Sequence, residues 1–498
     1  MTASTSATGG AVGLRELVVR EVATGRRFAG LMGTQRGDAV LLTVHLAAPG
    51  GIIAHDALLP ASAASYPALT PAVGAAFWYE RELHDLFGIV PDGHPRLEPL
   101  ILPLGGRAGT PPRPGMPGPG PVALWPDEHS VPRHVLGPGL FTIPHGPVRS
   151  GVMESIEYLV ETPGEDIPHL NMRLFYKHRG IEKRFEQTTA GDGVLLAERT
   201  EGMASVAHAL AFCHAAERMG GVPEVPWRAG LIRVLHAELE RVVAHLDTAT
   251  RLVDAAGLAV ATARFGLHKE RMMRLVSRMC ASRFGRGVVV PGGVTEMPLV
   301  SPADFLAEIG TLERAVQADA GALMGTASFL DRLRGTGPLR QQRAVDHGAL
   351  GPIGKASGHA DDARGARPYD AYPALGLGEL PERNTGDALA RLRVRWDEVR
   401  QSFHLLRQAA DELADAGEGP LALPCEVVSG RATGWAEAPH GEVLYDLRAE
   451  DGRITRCRPR SPSFHNLVLF HEVFAGDILT DFPFIEASFG LSAGGAAL

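Results

Sequence analysis

The segment RTEGMASVAH, Arg199 to His208, brings a guanidinium, a carboxylate and an imidazole within ten residues of one another. Such side chains hold or move protons when burial and a charged neighbour shift their pKa. Glu201 beside Arg199 or His208 could therefore act as a buried proton carrier. The same residues could equally form an ion pair whose only role is structural, and the sequence leaves both interpretations open.

Local metal-binding and enzyme motifs are missing from the sequence. The four cysteines, Cys213, Cys280, Cys425 and Cys457, lie far apart, so no CxxC pair can be proposed. Scattered single cysteines are typical of buried, inert thiols in a reducing compartment. There is no Gly-rich phosphate loop, GxSxG or HExxH motif. The two histidines of HAELERVVAH are nine residues apart, a spacing that does not put them on one helix face.

The composition is that of a globular protein. Hydrophobic residues make up 45% and charged residues 21% of the 498-residue chain, and the formal net charge is −8. This charge argues against a nucleic-acid partner, for which a basic face is expected. The N-terminus does not resemble a signal peptide, and no apolar run approaches the ~20 residues of a membrane span. We therefore expect a cytoplasmic protein, unless it docks onto something in the membrane.

Helices should position most of the candidate residues. In residues 229–257 the apolar positions Ile232, Leu235 and Leu239 follow the helical period. Ser301 is a plausible N-cap for a long helix, and Gly417 a plausible end for another. The further helices predicted in this part of the chain are residues 263–285, 301–335 and 386–417.

Strands should flank these helices and build most of the first hundred residues. The segments LRELVVREVATG and AVLLTVHLAA alternate well enough to predict strands, and residues 65–88 predict a helix that ends at Gly88. The later segments SIEYLVE and MRLFYKH also predict strands. Near the C-terminus, Asp451-Gly452 predicts the turn of a β-hairpin.

A Pro/Gly-rich stretch divides the chain. Residues 103–138 contain little that could bury a face, and they predict a linker. We therefore expect an α+β protein with three parts: a small α+β domain at residues 1–102, a linker at 103–139, and a mainly α-helical large domain with flanking β-strands at 140–498.

One longer motif carries a family resemblance. FWYERELHDLFGIVPDGHPRL, Phe77 to Leu97, resembles the signature of the C-type component of NADH-quinone oxidoreductase. In that family the region contacts neighbouring subunits. The alternative is an ordinary amphipathic helix on which Glu80, Arg81, Glu82 and Asp85 would simply be exposed.

A series of motifs in the second part resembles the D-type component of the same complex, which shares its ancestry with the large subunit of nickel–iron hydrogenases. These motifs follow the family's order over most of residues 140–490 and imply a hydrogenase large-subunit-like fold. They are FYKHRGIEK, RVLHAELERVVAHL, GALGPIGKASG, RPYDAY, VRWDEVRQSFHLLRQA, EAPHGE and PRSPSFHNL. C-type and D-type regions in one chain resemble, more narrowly, the large subunit of formate hydrogenlyase and related energy-converting membrane-bound hydrogenases.

This resemblance gives the opening segment a meaning. In hydrogenases of the superfamily, four cysteine thiolates hold nickel and iron, and thiolate is the ligand type that suits these metals. The first pair of positions falls on Glu201 and Ala204, and the second on about Ser492 and Gly495. No position retains a cysteine, and Ala204 and Gly495 have no donor atom. We therefore expect no metal to be bound by this chain.

The quinone-reducing branch of the superfamily uses a Tyr and a His as hydrogen-bond donors and an Asp coupled to the His. The Tyr position falls on Gly202 and the His position on about Ser150, although His145 lies near enough to substitute. The Asp position falls on Asp254 and is kept. A quinone remains possible, but its site would be altered.

The resemblance implies a hydrophilic-arm subunit of a membrane-associated hydrogenase or NADH-quinone oxidoreductase-type electron-transfer complex, with a degenerate metal site. Such a subunit is not active alone. Its candidate catalytic residues are Glu201, His208, Asp254 and Arg199, which are expected to wall a cavity with Ser150 and the segment 488–495. A small iron–sulfur-cluster subunit, membrane-embedded antiporter-like subunits and quinone-site subunits are the implied partners.

A second hypothesis makes the chain a non-catalytic structural or coupling subunit that joins the cluster-bearing subunit to the membrane subunits. It differs from the first only at the site. A free-standing dehydrogenase is disfavoured, since NADH binding in the parent complex belongs to other subunits and no nucleotide-binding fingerprint is seen.

Overall fold

The computed structural model describes residues 4–6, 10–60, 63, 65–102, 139–149, 154–222 and 224–498. It has the mixed α+β architecture that the sequence predicts, with a sheet-containing N-terminal part followed by a larger helical part. The predicted linker, except for Gly139, and the candidate residue Ser150 lie outside the described residues.

The N-terminal part is built on a four-stranded sheet with the order β1-β4-β3-β2. Its strands are Ser4–Ser6 (β1), Arg27–Arg36 (β2), Ala39–Ala48 (β3) and Gly51–Leu59 (β4). The strand β3 confirms the prediction for AVLLTVHLAA. It pairs antiparallel with both of its neighbours, whereas β1 joins β4 in parallel.

The strand predicted for LRELVVREVATG was wrong, because this segment belongs to the helix α1, Gly10–Ala23. Leu14 and Val18 are its buried residues, and they lie four positions apart on one helical face. The apolar residues of this segment fit a period of 3.6 as well as the alternation on which the prediction rested.

The helix α2, Phe77–Phe87, ends at Gly88 as predicted, and Gly88 has the left-handed φ of 68° that favours glycine there. It begins later than predicted, because the strand Ser65–Pro67 (β5) pairs with Val90–Asp92 (β6) and the turn Gly74–Ala76 is a 3₁₀-helix. Its charged residues Glu80, Arg81 and Glu82 are buried. They are therefore part of the interior and not of an exposed amphipathic face.

A second sheet opens the larger part, with the order β7-β8-β9. Its strands are Phe141–His145 (β7), Glu157–Thr162 (β8) and His169–Arg173 (β9). The strand predicted for MRLFYKH ends at Arg173, and a 3₁₀-helix follows at Phe175–Lys177.

Helices then dominate, and long ones pack along one another in the core. The bounds are Ile181–Phe185 (α3), Ala190–Ala197 (α4), Ser205–Met219 (α5), Trp227–Ala255 (α6), Ala259–Cys280 (α7), Pro302–Met324 (α8), Ala327–Leu333 (α9), Gln341–His347 (α10), Gly351–Ala356 (α11), Ala363–Ala366 (α12) and Ala388–Asp415 (α13). A short hairpin, Val289–Val290 (β10) with Gly293–Val294 (β11), lies between α7 and α8.

The long helices bear out the helical periodicity, with one difference. Ser301 caps α8 as predicted, since its side chain accepts a hydrogen bond from the Asp304 backbone N–H. The single helix predicted for residues 301–335 is two helices, because α8 ends at Gly325 and α9 begins after Thr326. Glycine at this position weakens a helix and favours its end.

The C-terminal quarter folds back onto both parts. An antiparallel meander contains Gly430–Ala438 (β12), Gly441–Glu450 (β13) and Arg453–Arg460 (β14), and its last turn is the predicted Asp451-Gly452. The helices Pro462–Leu467 (α14), Phe482–Phe489 (α15) and Ala493–Ala497 (α16) follow. Residues of α14 to α16 share one apolar core with α1, α2 and β2 to β4.

Candidate functional site

The carboxylate of Glu201 lies at the centre of a buried polar cluster, and the residue is 1% exposed. It accepts hydrogen bonds from Nε2 of His208 at 3.2 Å and Nε2 of His440 at 3.1 Å. The hydroxyls of Ser461 and Ser463 donate to it at 2.8 Å and 2.7 Å. We call these five residues the Glu201 cluster. Four of them donate hydrogen bonds to the buried carboxylate of the fifth.

Three parts of the chain supply these donors. Glu201 lies in the turn between α4 and α5, and His208 lies in the first turns of α5. His440 occupies the turn between β12 and β13. Ser461 is the N-cap of α14, where its hydroxyl accepts the Ser463 backbone N–H at 2.9 Å. The turn between β12 and β13 and the residues that follow β14 therefore lie against the start of α5.

The electrostatics keep Glu201 ionised. Burial alone would raise the pKa of Glu201, but His440 and His208 outweigh burial and hold this pKa well below its usual range. Burial lowers the pKa of His208, and its hydrogen bond to Glu201 only partly opposes this shift. At neutral pH the pair is thus a carboxylate beside a neutral imidazole.

A second layer of hydrogen bonds supports His208. Its Nδ1 lies 2.9 Å from the hydroxyl of Tyr445, which lies 3.2 Å from the hydroxyl of Thr200. The Thr200 hydroxyl donates in turn to the carbonyl oxygen of Leu196 at 3.3 Å. His208, Tyr445 and Thr200 are all fully buried.

Three further positions are predicted from the resemblance to correspond to metal ligands, namely Ala204, Ser492 and Gly495. A Cβ added at Gly495 would lie within 2.7 Å of the Glu201 carboxyl carbon and of both its oxygens. Ala204 is buried at the N-terminus of α5. Ser492 donates through its hydroxyl to Glu154 at 2.7 Å, and its backbone N–H donates to the Ser463 hydroxyl at 3.0 Å.

This donor set does not fit a dinuclear nickel–iron group. Two of its four positions, Ala204 and Gly495, have no side-chain donor, and the Glu201 carboxylate fills the space beside Gly495. Within the described ranges, no group of three or more His, Cys, Asp or Glu residues is arranged to hold a metal ion.

Of the four candidate catalytic residues, the structure brings Glu201 and His208 together. Arg199 is exposed, and its guanidinium donates to the Leu195 carbonyl at 2.6 Å instead of reaching the cluster. Asp254 is exposed in the last turn of α6. Fourteen residues separate it from Glu240, which binds the N-terminus of α5, so the two lie about 21 Å apart along the helix axis.

Two of the predicted quinone-site positions, Gly202 and His145, lie among the described residues. Gly202 is exposed in the turn after Glu201. His145 lies on β7, where its ring packs against Phe482 at a centroid distance of 5.1 Å. Neither residue makes a hydrogen bond to the Glu201 cluster among those found between described residues. The role predicted for this pair in binding a quinone stays a prediction.

Sequence reasoning missed His440, Ser461, Ser463 and Tyr445 as members of the site. The segments EAPHGE and PRSPSFHNL carry the first three, but only as family motifs without a role. Polar residues at a hairpin turn and at a helix N-cap are the available signal. That signal does not identify Glu201, more than two hundred residues away, as their common partner.

Two family descriptions match the chain. The respiratory-chain NADH dehydrogenase 30 Kd subunit matches residues 25–122. The respiratory-chain NADH dehydrogenase 49 Kd subunit matches residues 257–425 and 422–496. The two regions stand in one polypeptide, in the order that the sequence motifs predict.

Individual relatives come from both hydrogenases and NADH-quinone oxidoreductases. The carbon monoxide-induced hydrogenase of Rhodospirillum rubrum is 29% identical and aligns over 70% of this chain and 96% of its own. Formate hydrogenlyase subunit 5 of Escherichia coli is 28% identical over 85% of this chain and 75% of its own. The fused C/D-type polypeptide of the NADH-quinone oxidoreductase of Bdellovibrio bacteriovorus is 27% identical over 85% and 81%.

A solved structure shares the fold. One polypeptide of the membrane-bound sulfane sulfur reductase, an archaeal respiratory membrane complex, superposes with a TM-score of 0.68 at 24% identity, over 72% of this chain and 99% of that one. None of the helices within the described residues is long and apolar enough to cross a membrane.

Proposed function

Because the chain resembles the fused C/D-type subunits of NADH-quinone oxidoreductase and the large subunits of membrane-associated hydrogenases, we propose that it is a hydrophilic-arm subunit of such an electron-transfer complex. In this proposal the place of the ancestral metal centre is closed by the Glu201 cluster. The chain itself then binds no redox metal and works only within the assembly.

One observation carries the second half of this proposal. The carboxylate of Glu201 lies where a Cβ at Gly495 would have to be, and four side-chain donors hold it there. A thiolate-ligated metal would have to displace an ionised, fully hydrogen-bonded group from the interior, which is costly. The geometry therefore supports a site that holds charge and protons and does not bind metal.

The finer parts of the proposal follow from the relatives. A small iron–sulfur-cluster subunit would bring electrons near the Glu201 cluster, and membrane-embedded subunits of the antiporter-like and quinone-site types would anchor the arm to the inner face of the cell membrane. Any quinone would bind mainly through those partners. The division into residues 1–102, 103–139 and 140–498 belongs to the same proposal.

Two of the candidate catalytic residues receive other roles here. Arg199 exposes its guanidinium, and this geometry suits contact with a partner better than chemistry in the interior. Asp254, at the exposed end of α6, is equally open to a partner. The purely structural alternative is less well supported, because the relatives named above are hydrogenases and oxidoreductases.

Metal analysis of the complex, isolated through a tag on this chain, tests the proposal. We expect nickel far below one atom per chain, iron in proportion to a co-purifying cluster-bearing subunit, and electron transfer from that subunit to a quinone or an artificial dye. One nickel per chain would contradict the closed site. A chain that purifies without any partner would contradict the assignment to a complex.

A further inference from the structure

A chain of hydroxyl groups ends on the imidazole of His208. Tyr445 stands between Nδ1 of His208, at 2.9 Å, and the hydroxyl of Thr200, at 3.2 Å. The Thr200 hydroxyl continues the chain to the carbonyl oxygen of Leu196 at 3.3 Å. A hydroxyl can both donate and accept, so the direction of such a chain can reverse.

With the imidazole neutral, the carboxylate fixes the direction of this chain. Nε2 of His208 faces an oxygen of Glu201, so this nitrogen must carry the proton, and Nδ1 must then accept. Tyr445 supplies the O–H that Nδ1 accepts. Every group is satisfied in this state.

With the imidazole protonated, the same chain is satisfied in the opposite direction. Nδ1–H of His208 donates to Tyr445, whose O–H turns to Thr200, whose own O–H already donates to the backbone carbonyl of Leu196. No buried donor is left without an acceptor, which is the condition for keeping an imidazolium in the interior at a tolerable cost.

The other imidazole of the cluster lacks this arrangement. Nδ1 of His440 is buried and has no hydrogen-bond partner among the described residues. A donor at that atom would have no acceptor among the described residues. The two histidines thus donate to Glu201 in the same way, through Nε2, but they differ in the hydrogen-bond partners of Nδ1.

We infer that Tyr445 and Thr200 are positioning residues that allow His208 to take up one proton at Nδ1, which makes the Glu201 cluster a proton-loading site. The proton comes from solvent: an O–H bond of hydronium or of a buffer acid breaks, the Nδ1–H bond forms, and the charge of the Glu201–His208 pair rises from −1 to zero. The biological role of this proton uptake rests on the proposed function, because the proton would balance the charge of an electron that arrives in a partner subunit.

The groups that face His208 act on its proton in both directions. Glu201 attracts the proton, whereas Arg179 and His440 repel it. Glu240 on α6 binds the N–H groups of Val206 and Ala207, and burial raises its pKa to about 8, so this carboxyl group is mostly neutral at pH 7 and adds little attraction. Because burial lowers the pKa of His208, the imidazole is neutral in the resting state. It takes up the proton when a negative charge is added nearby.

Titration of the intact complex with isotope-labelled histidine tests the inference without any electron transfer. Infrared or nuclear magnetic resonance signals of imidazolium are followed against pH, and the signal lost in His208→Gln identifies the residue. Tyr445→Phe should lower the apparent pKa of His208 by about one unit or more, a tenfold loss of proton affinity. Thr200→Val should shift it in the same direction by less, and Thr200→Ser should restore it.

The matched control is Tyr372→Phe, which removes another buried tyrosine hydroxyl, one that is bonded to Glu238 at 2.6 Å and not to His208. It should leave the His208 titration unchanged. An unshifted titration in both Tyr445→Phe and Thr200→Val would overturn the inference, and so would equal shifts in Tyr445→Phe and Tyr372→Phe. A shift in a complex that transfers no electrons would support the proton site and contradict the proposed function.

Discussion

At the scale of single residues, Glu201 combines two roles that are usually separate. It fills the space that a Cβ at position 495 would need, and it carries a charge that four donors satisfy. A neutral filler of the same size would leave those donors unpaired in the interior. The carboxylate and its four donors therefore hold one another in place through the same hydrogen bonds.

The contact between Gly495 and Glu201 makes a prediction about packing. Gly495→Ala should destabilise the protein by about 1–3 kcal/mol, because the added Cβ overlaps a carboxyl group that cannot swing away without leaving its donors. Chemical denaturation of the full chain measures the change. Gly494→Ala, one residue earlier in α16, is the control, since a Cβ there has its first contact at 3.5 Å.

The double variant distinguishes this overlap from a helix effect. Glu201→Ala alone should be strongly destabilising, because it strands the donors of His208, His440, Ser461 and Ser463. In combination with Gly495→Ala, the cost should fall short of the sum of the two single variants, since the overlap has gone. Additive costs would show that the carboxylate does not occupy the space that a Cβ at position 495 needs.

At the scale of elements, the sequence predicted helices by their period and missed what tertiary contacts decide. Residues 229–257 form one long helix as predicted, because five turns of apolar residues leave no other reading. Residues 14–25 offer only two apolar turns, and the packing of Leu14 and Val18 against the sheet selects a helix. The sequence could predict that Glu201 and His208 are neighbours. It could not predict that His440 joins them, because only the fold of the β12–β13 hairpin brings His440 to this place.

The elements of the helical core are also joined by buried charge. Glu238 on α6 accepts hydrogen bonds from the hydroxyl of Tyr372 at 2.6 Å, the hydroxyl of Ser402 on α13 at 2.6 Å and the guanidinium of Arg364 on α12 at 3.1 Å. Burial alone would raise the pKa of Glu238, but Arg241 and Arg364 outweigh burial and hold this pKa at about 2.

Because of this network, the stability of the core depends on pH. Since the carboxyl pKa of Glu238 is lower in the folded state than the ordinary 4.5, the unfolded chain binds more protons between these values. Stability from this residue is fully present above pH 4.5 and is lost as the pH falls toward 2. Glu238→Gln should flatten that part of the stability–pH curve, measured by denaturation, whereas Glu382→Gln at an exposed position should not.

At the scale of the whole molecule, the two family regions form one interior. Tyr79 on α2 hydrogen-bonds Nδ1 of His465 on α14 at 2.8 Å, and Trp78 packs against Phe464 with ring centroids 5.7 Å apart. Residues as far apart in sequence as Leu14 and Ala497 thus belong to one core. The partners of the charged residues of α2 lie in other segments of the chain: Glu80 accepts the backbone N–H groups of Leu69 and Thr70, Arg81 donates to the carbonyl oxygens of Glu98 and Pro99, and Glu82 pairs with Arg458 on β14.

Arg458 on β14 joins these parts. Its guanidinium forms ion pairs with Glu82 on α2 and with Glu182 on α3, the second at 2.8 Å, and all three residues are buried. Removing this buried cation leaves Glu82 without its ion pair, whereas Glu182 keeps its second partner, Arg456. Breaking a buried pair in this way typically costs about 3–5 kcal/mol. The loss falls on the contact between the N-terminal part and the meander.

We therefore expect Arg458→Met to destabilise the full chain by about 3–5 kcal/mol in chemical denaturation, although methionine fills much of the same volume. Adding Glu82→Gln should recover part of that loss, because one uncompensated charge is gone. Arg334→Met, which breaks the exposed pair with Asp331, should change stability by less than about 1 kcal/mol. If Arg458→Met were no worse than Arg334→Met, the ion pairs would not hold the two parts together, and the shared apolar core would have to do so alone.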